Sequence, residues 1–157
     1  KPDDTVVIRI ARSEMGQGTL TGLAQLVAEE LNCDWSKVTT EYPSPAQNLA
    51  RDRVWGNFST GGSRGIRESH EYVRMGGAIA REMLIAAAAA EWGVPPGECV
   101  ATRGVVTHAA SSRATTFGQL AAAAAYFGHA ALAGRLHTRR SSSLIFHRQP
   151  PRRCGPV

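Results

Sequence analysis

Two hydrophobic periods alternate along the first 125 residues. Thr5-Val6-Val7-Ile8-Arg9-Ile10 is rich in β-branched residues and predicts a strand. Leu20, Leu23, Ala24, Val27 and Leu31 then recur at helical spacing, with Glu29 and Glu30 off that stripe. Asn32-Cys33-Asp34-Trp35-Ser36 reads as a turn. Lys37 to Tyr42 reads as a second strand, stopped by Pro43-Ser44-Pro45. The pattern predicts a strand–helix–strand unit with the helix laid on a sheet.

From Pro43 to Thr60 neither period holds, which predicts a long loop carrying Asn48, Arg51, Arg53, Trp55, Asn57 and Phe58. Such loops are commonly functional or disordered, and the two aromatics argue against disorder. Beyond Gly65 one long helix is predicted, with Ile66, Val73, Gly77, Ala80 and Leu84 as its buried stripe. Arg67–Glu71 and Glu71–Arg74 are spaced to pair along its exposed face. Gly93 and Val94-Pro95-Pro96 end it. Cys99 to His108 predicts two short strands around Arg103-Gly104, and Ser111-Ser112-Arg113 a turn. Thr116-Phe117-Gly118-Gln119 has capping-box spacing and opens a short alanine helix to Ala125. The fold class is α/β (α+β): a strand–helix–strand unit, a long second helix and a short hairpin.

Two glycine-rich elements interrupt this order. Ser13-Glu14-Met15-Gly16-Gln17-Gly18-Thr19 lies between the first strand and the first helix. Two glycines at a strand-to-helix junction leave backbone N–H groups at a positive helix end, a geometry suited to an anion or a carbonyl-rich cofactor. Gly16 and Gly18 remove side chains where a ligand would approach, and Gln17 offers a donor and an acceptor. Alone, the motif is first of all a turn. Ser59-Thr60-Gly61-Gly62-Ser63-Arg64-Gly65 precedes the second helix and reads as a cap and turn. The sharper reading is a phosphate cradle of N–H groups, hydroxyls and the Arg64 guanidinium. Its spacing is not that of a P-loop nucleotidase.

Charge adds less than it promises. The 157 residues carry 18 basic and 13 acidic groups, a net charge of +5. Residues 126–157 hold six arginines (135, 139, 140, 148, 152, 153) and no Asp or Glu, so residues 1–125 are near neutral. The division is therefore 1–125 as the domain and 126–157 as a basic, irregular tail. Nucleic acid is a partner by tail charge alone and is not favoured. No apolar run approaches the ~20 residues of a membrane span, so no membrane partner is expected. Cys33, Cys99 and Cys154 are widely spaced and lack a C-x-x-C, so no metal site or iron–sulfur cluster is expected from the chain's own thiols. His70 and His108 stand without acidic or cysteine partners at ligand spacing and read as surface or capped histidines. The chain opens without Met, directly ahead of a strand, as expected of a piece of a longer protein. Its tail is expected to be a truncated or out-of-frame end.

The body resembles the molybdopterin-binding large subunit of the xanthine dehydrogenase/aldehyde oxidase family, in its isoquinoline 1-oxidoreductase beta-subunit branch. The residues that carry the likeness are Ser13 to Thr19, Asp34-Trp35-Ser36-Lys37-Val38 and Tyr42-Pro43-Ser44-Pro45. Ser59 to Ser69, Gly104 to His108 and Thr115-Thr116-Phe117-Gly118 complete it, over roughly residues 5–125. The resemblance implies that Gly16, Gln17 and Gly18 sit at the molybdenum end of the cofactor, with Gln17 near the metal's oxygen ligands. It implies that Gly62, Ser63, Arg64 and Gly65 contact the cofactor's phosphate and pterin side. The cofactor it implies is molybdopterin cytosine dinucleotide, and the partner an iron–sulfur small subunit.

The implied reaction is oxidation or hydroxylation of an N-heterocycle or aldehyde substrate. The glutamate base of that reaction belongs to a segment with no match here. No catalytic residue is therefore assigned, and the chain alone is expected to be inactive and to hold no stoichiometric molybdenum. The same branch often carries a twin-arginine export signal, so periplasmic and cytoplasmic locations are both compatible. Two other function classes compete: a non-enzymatic α/β module with a nucleic-acid-binding tail, and a small phosphate- or nucleotide-binding domain.

Overall fold

The computed structural model describes residues 1–126. The β-branched run forms β1, Val6–Arg9, and the first stripe forms α1, Thr19–Leu31. β2, Val38–Glu41, returns parallel to β1, with Val6 opposite Val38 and Arg9 opposite Glu41. This is the strand–helix–strand unit that the hydrophobic periods predict. Leu23 and Ala24 of α1 are buried against Ile8 and Ile10, which fixes the helix on one face of the pair.

The region after β2 departs from the prediction. Pro45–Leu49 is a helical turn, α2, where a structureless loop is predicted. Its signal was present: Ser44 caps the Gln47 N–H, Gln47 caps back onto Ser44, and Pro45 occupies the first helical position. The long helix is also divided. Arg64–Arg67 forms a single turn, α3, and the long helix proper, α4, runs from His70 to Trp92. Two features hold the break. Ser69 is fully buried with its hydroxyl on Arg12, and the His70 ring nitrogen lies 3.0 Å from the Arg67 carbonyl. Ile66, placed by spacing on the buried stripe, is consequently 42% exposed.

Val73, Gly77 and Leu84 bury as predicted and carry α4 across α1. The exposed-face ion pairs are redirected: Arg74 bonds Glu30 of α1 at 2.8 Å, and Arg81 bonds the Glu30 carbonyl. Arg67 lies nearest Glu68 rather than Glu71. The C-terminal half of α4 packs on an antiparallel sheet of β3, Cys99–Thr102, β4, Val105–His108, and β5, Arg113–Thr116. Arg103 and Gly104 both have positive φ, the two-residue turn that a twisted hairpin requires. β5 was missed because its residues, Arg-Ala-Thr-Thr, are short and half exposed. Among the described residues a fifth helix, α5, covers 117–126, opened by reciprocal Thr116 and Gln119 bonds as its capping box predicts.

Asn32 ties the halves together. It ends α1 in the left-handed conformation, donates to the Ala101 carbonyl and accepts from the Arg103 N–H. His70 is exposed, but His108 is buried between Glu98 (3.0 Å) and Ser111 (2.7 Å), so it is a satisfied interior histidine rather than a surface one. The predictions for the basic tail lie outside the described residues, as does Cys154.

Candidate functional site

The strand order decides where the two glycine elements lie. β1 delivers the first to the amino end of α1, and α3 packs beside that same end. Gly65 makes this packing possible. A Cβ there would stand 2.9 Å from both Thr19 Cγ2 and Oγ1, and Thr19 is itself buried. The result is a cleft of about 440 Å³ lined by Met15, Gln17 and Thr19 on one wall. Thr60, Gly61, Ser63, Arg64, Gly65 and Ile66 form the other. Four of the sequence-predicted residues, Gln17, Ser63, Arg64 and Gly65, therefore share one cavity. Gly16 and Gly18 shape the first wall without lining it, and Gly62 does so for the second. Gly16 and Gly18 have positive φ and no atom within 4 Å of a hypothetical Cβ, so the backbone there is open to close approach.

The two walls differ electrically, which the sequence pattern did not reveal. The N–H groups at the start of α1 already hold an anion, the carboxylate of Glu14. Its Oε1 accepts from Gly16 at 2.7 Å and Gly18 at 2.9 Å, and its Oε2 accepts from Leu20 at 3.0 Å. Gln17 also folds into its own loop, accepting from the Met15 N–H at 2.6 Å and donating to the Ser13 carbonyl at 2.8 Å. The reading of this loop as free donors aimed at an anion is thus corrected for three of them, which Glu14 satisfies.

The second loop keeps its donors. The N–H groups of Gly62 and Ser63 make no hydrogen bond among the described residues. The half-buried Arg64 guanidinium is positioned by the Gly61 carbonyl at 3.2 Å and the Ser59 hydroxyl at 3.0 Å. Because α3 is a single turn, the donors here belong to the loop and the guanidinium rather than to the end of a long helix.

A third residue, unflagged by any motif, joins the walls. Arg12 is 7% exposed and follows the buried Ile10 and Ala11. It donates through Nε to the Ser69 hydroxyl at 3.1 Å and through Nη1 to the Ser59 carbonyl, and it pairs with Glu68 at 3.7 Å. Beside it, the Ser13 N–H donates to the Thr60 hydroxyl at 2.9 Å. Its only sequence signal was a charge set directly after apolar strand residues.

The backbone N–H groups of Leu20 and Gly18 hold the Glu14 carboxyl below the usual glutamate range. A carboxyl more acidic in the folded state stabilises fully above its unfolded pKa. That contribution is lost as the pH falls through the lowered folded value. The amide resonances of Gly16, Gly18 and Leu20 should therefore move together, with one midpoint below the ordinary glutamate value. A midpoint at or above the ordinary glutamate value would contradict the observed bonding. Burial raises the Cys33 and Cys99 thiols, which makes both poor nucleophiles. Among the described residues no three His, Cys, Asp or Glu side chains cluster to hold a metal, and no helix is long and apolar enough to cross a membrane.

A parallel βαβ unit that shares a cleft with a second glycine loop defines an α/β module. Comparison with known proteins gives the family. The molybdopterin cofactor-binding domain matches residues 1–149. The isoquinoline 1-oxidoreductase subunit beta of Brevundimonas diminuta is 36% identical over 121 residues, 76% of this chain and 16% of that protein. The membrane-bound aldehyde dehydrogenase [pyrroloquinoline-quinone] of Gluconacetobacter polyoxogenes is 32% identical over 121 residues, 77% of this chain and 15% of that protein. The crystal structure of quinoline 2-oxidoreductase from Pseudomonas putida 86 shares the fold, with a TM-score of 0.50 at 21% identity over 83% of this chain and 16% of that one. The chain belongs to the molybdopterin cofactor-binding domain family and spans about a sixth of the length of the relatives it matches.

Proposed function

We propose that this chain is the part of a molybdenum hydroxylase large subunit that supplies two cofactor-contact loops. The observation that carries the reading is the single cleft shared by Gln17, Ser63, Arg64 and Gly65. The residues fit an elongated group with one anionic end. Gly62 and Ser63 N–H groups and the Arg64 guanidinium would hold its phosphates. Gly16 and Gly18 would let its other end lie against bare backbone, with Gln17 and Met15 at its edge. The finer identity proposed is molybdopterin cytosine dinucleotide, whose pyrophosphate suits the second wall. When bound, this group supplies the oxidative chemistry for an N-heterocycle or aldehyde. The protein residues here bind, orient and exclude water, and none is placed to move a proton in the reaction. Electrons would leave through an iron–sulfur partner subunit, consistent with a relative named as subunit beta.

The test uses a polypeptide that carries this segment at its relatives' full length. Purified, it should contain molybdenum, release a cytosine nucleotide on acid hydrolysis and oxidise a quinoline or an aldehyde. Full activity in protein that contains a quinone and no molybdenum would overturn the reading.

A further inference from the structure

We propose that Glu14 is a positioning residue that closes the first glycine loop to anions and so directs the anionic end of the cofactor to the second loop. The proposal rests on the cofactor reading above and adds the residue that sets which end of the cofactor each wall takes.

The argument is one of occupancy. The start of a thirteen-residue helix preceded by two glycines at positive φ is a strong anion-binding arrangement. Here a carboxylate from the same loop takes the Gly16, Gly18 and Leu20 N–H groups at 2.7–3.0 Å. The Gln17 side chain closes the loop around it from both ends. An incoming phosphate would meet three satisfied donors and a like charge. Across the cleft, the Gly62 and Ser63 N–H groups are unbonded among the described residues, and the Arg64 cation lines the wall. Both loops share the glycine composition of a phosphate cradle, yet only the first holds a carboxylate of its own. The internal glutamate makes the difference and leaves the first loop for the uncharged face of the guest.

The experiment uses the 157-residue chain, its amide spectrum and inorganic pyrophosphate as the probe. In the parent chain, pyrophosphate should shift the Gly62, Ser63 and Gly65 amides and leave Gly16, Gly18 and Leu20 unmoved. Glu14→Ala should open the first loop, so that those three amides also shift, with affinity there raised about tenfold over the parent. Glu14→Asp keeps the charge and should stay closed, which separates an electrostatic gate from a merely structural cap. Shifts at the first loop in the parent, or none there in folded Glu14→Ala, would overturn the proposal.

Should Glu14→Ala fail to fold, hydrogen exchange in the parent decides. The exposed Gly16 and Gly18 amides should exchange about tenfold more slowly than Gly62 and Ser63, and equal rates would reject the internal anion. A parent chain with no response at Gly62 to Gly65, or a response there that Arg64→Ala leaves intact, would instead bring down the second-loop cofactor assignment. The Glu14→Ala result would still stand as its own test.

Discussion

Gly77→Ala should destabilise the chain by about 3 kcal/mol, because two helices meet there with no room for a methyl group. A Cβ at Gly77 would lie 2.6 Å from the Val27 carbonyl oxygen, 3.0 Å from Glu30 Cβ and 3.3 Å from the Leu31 N–H nitrogen. Two of these neighbours are backbone of α1 and cannot rotate away, so α4 itself must retreat. That retreat would loosen Val73 and Leu84, both buried, and the Arg74 and Arg81 bonds to Glu30. In an exposed helix the same change would stabilise by up to about 1 kcal/mol, since alanine is the better helix former. The sign therefore tests the packing directly. Urea unfolding of parent and variant chains measures it, and an unchanged or raised midpoint would show that α1 and α4 do not cross at this position.

The parts of this fold legible in the sequence were those where one period dominates. β1, α1 and β2 each follow a simple apolar pattern, and their parallel pairing comes from the helix that separates them. The hairpin at Arg103-Gly104 and the capped start of α5 were legible from turn and cap chemistry. What escaped depends on partners distant in sequence. The division of the long helix arises because Ser69 is buried under Arg12, fifty-seven positions earlier, which no local pattern expresses. Glu30 draws Arg74 off its own helix in the same way, across to α1, and its carbonyl takes one arm of Arg81 while another stays on Glu82.

At the site, the shared cleft follows from the order of the elements, and the glycine motifs marked its walls. The role of Glu14 was hidden because a glutamate before a glycine turn looks like any solvated charge. Only the bend of the backbone around Gly16 and Gly18 brings its carboxylate onto three N–H groups at once. The strand–helix–strand unit could be reached from periods, whereas α2, β5 and the division of the long helix could not. The polarity of the cleft needed coordinates.

The same logic gives the second large effect, at Arg12. Arg12→Met should cost about 3 kcal/mol, comparable to losing one well-bonded buried charge. The methionine fills the space but leaves the fully buried Ser69 hydroxyl without its donor. It also leaves the Ser59 carbonyl unbonded there and Glu68 unpaired beside an apolar side chain. The loss should not spread evenly. Arg12 is the strap between the two loops, so amide exchange should rise across residues 59–69 while β1 and β2 keep their protection. Pyrophosphate should then lose its effect on the Gly62 and Ser63 amides, because the Ser59 hydroxyl that positions Arg64 moves with its backbone. Arg12→Lys should restore only part of this. A single ammonium keeps the charge, yet it lacks the planar fork that reaches Ser69, Ser59 and Glu68 from three sides. If Arg12→Met were destabilised uniformly, with the second loop no more mobile than the core, Arg12 would be an ordinary buried charge. The two walls would then be held in register by Ser13, Thr60 and the Gly65–Thr19 contact alone.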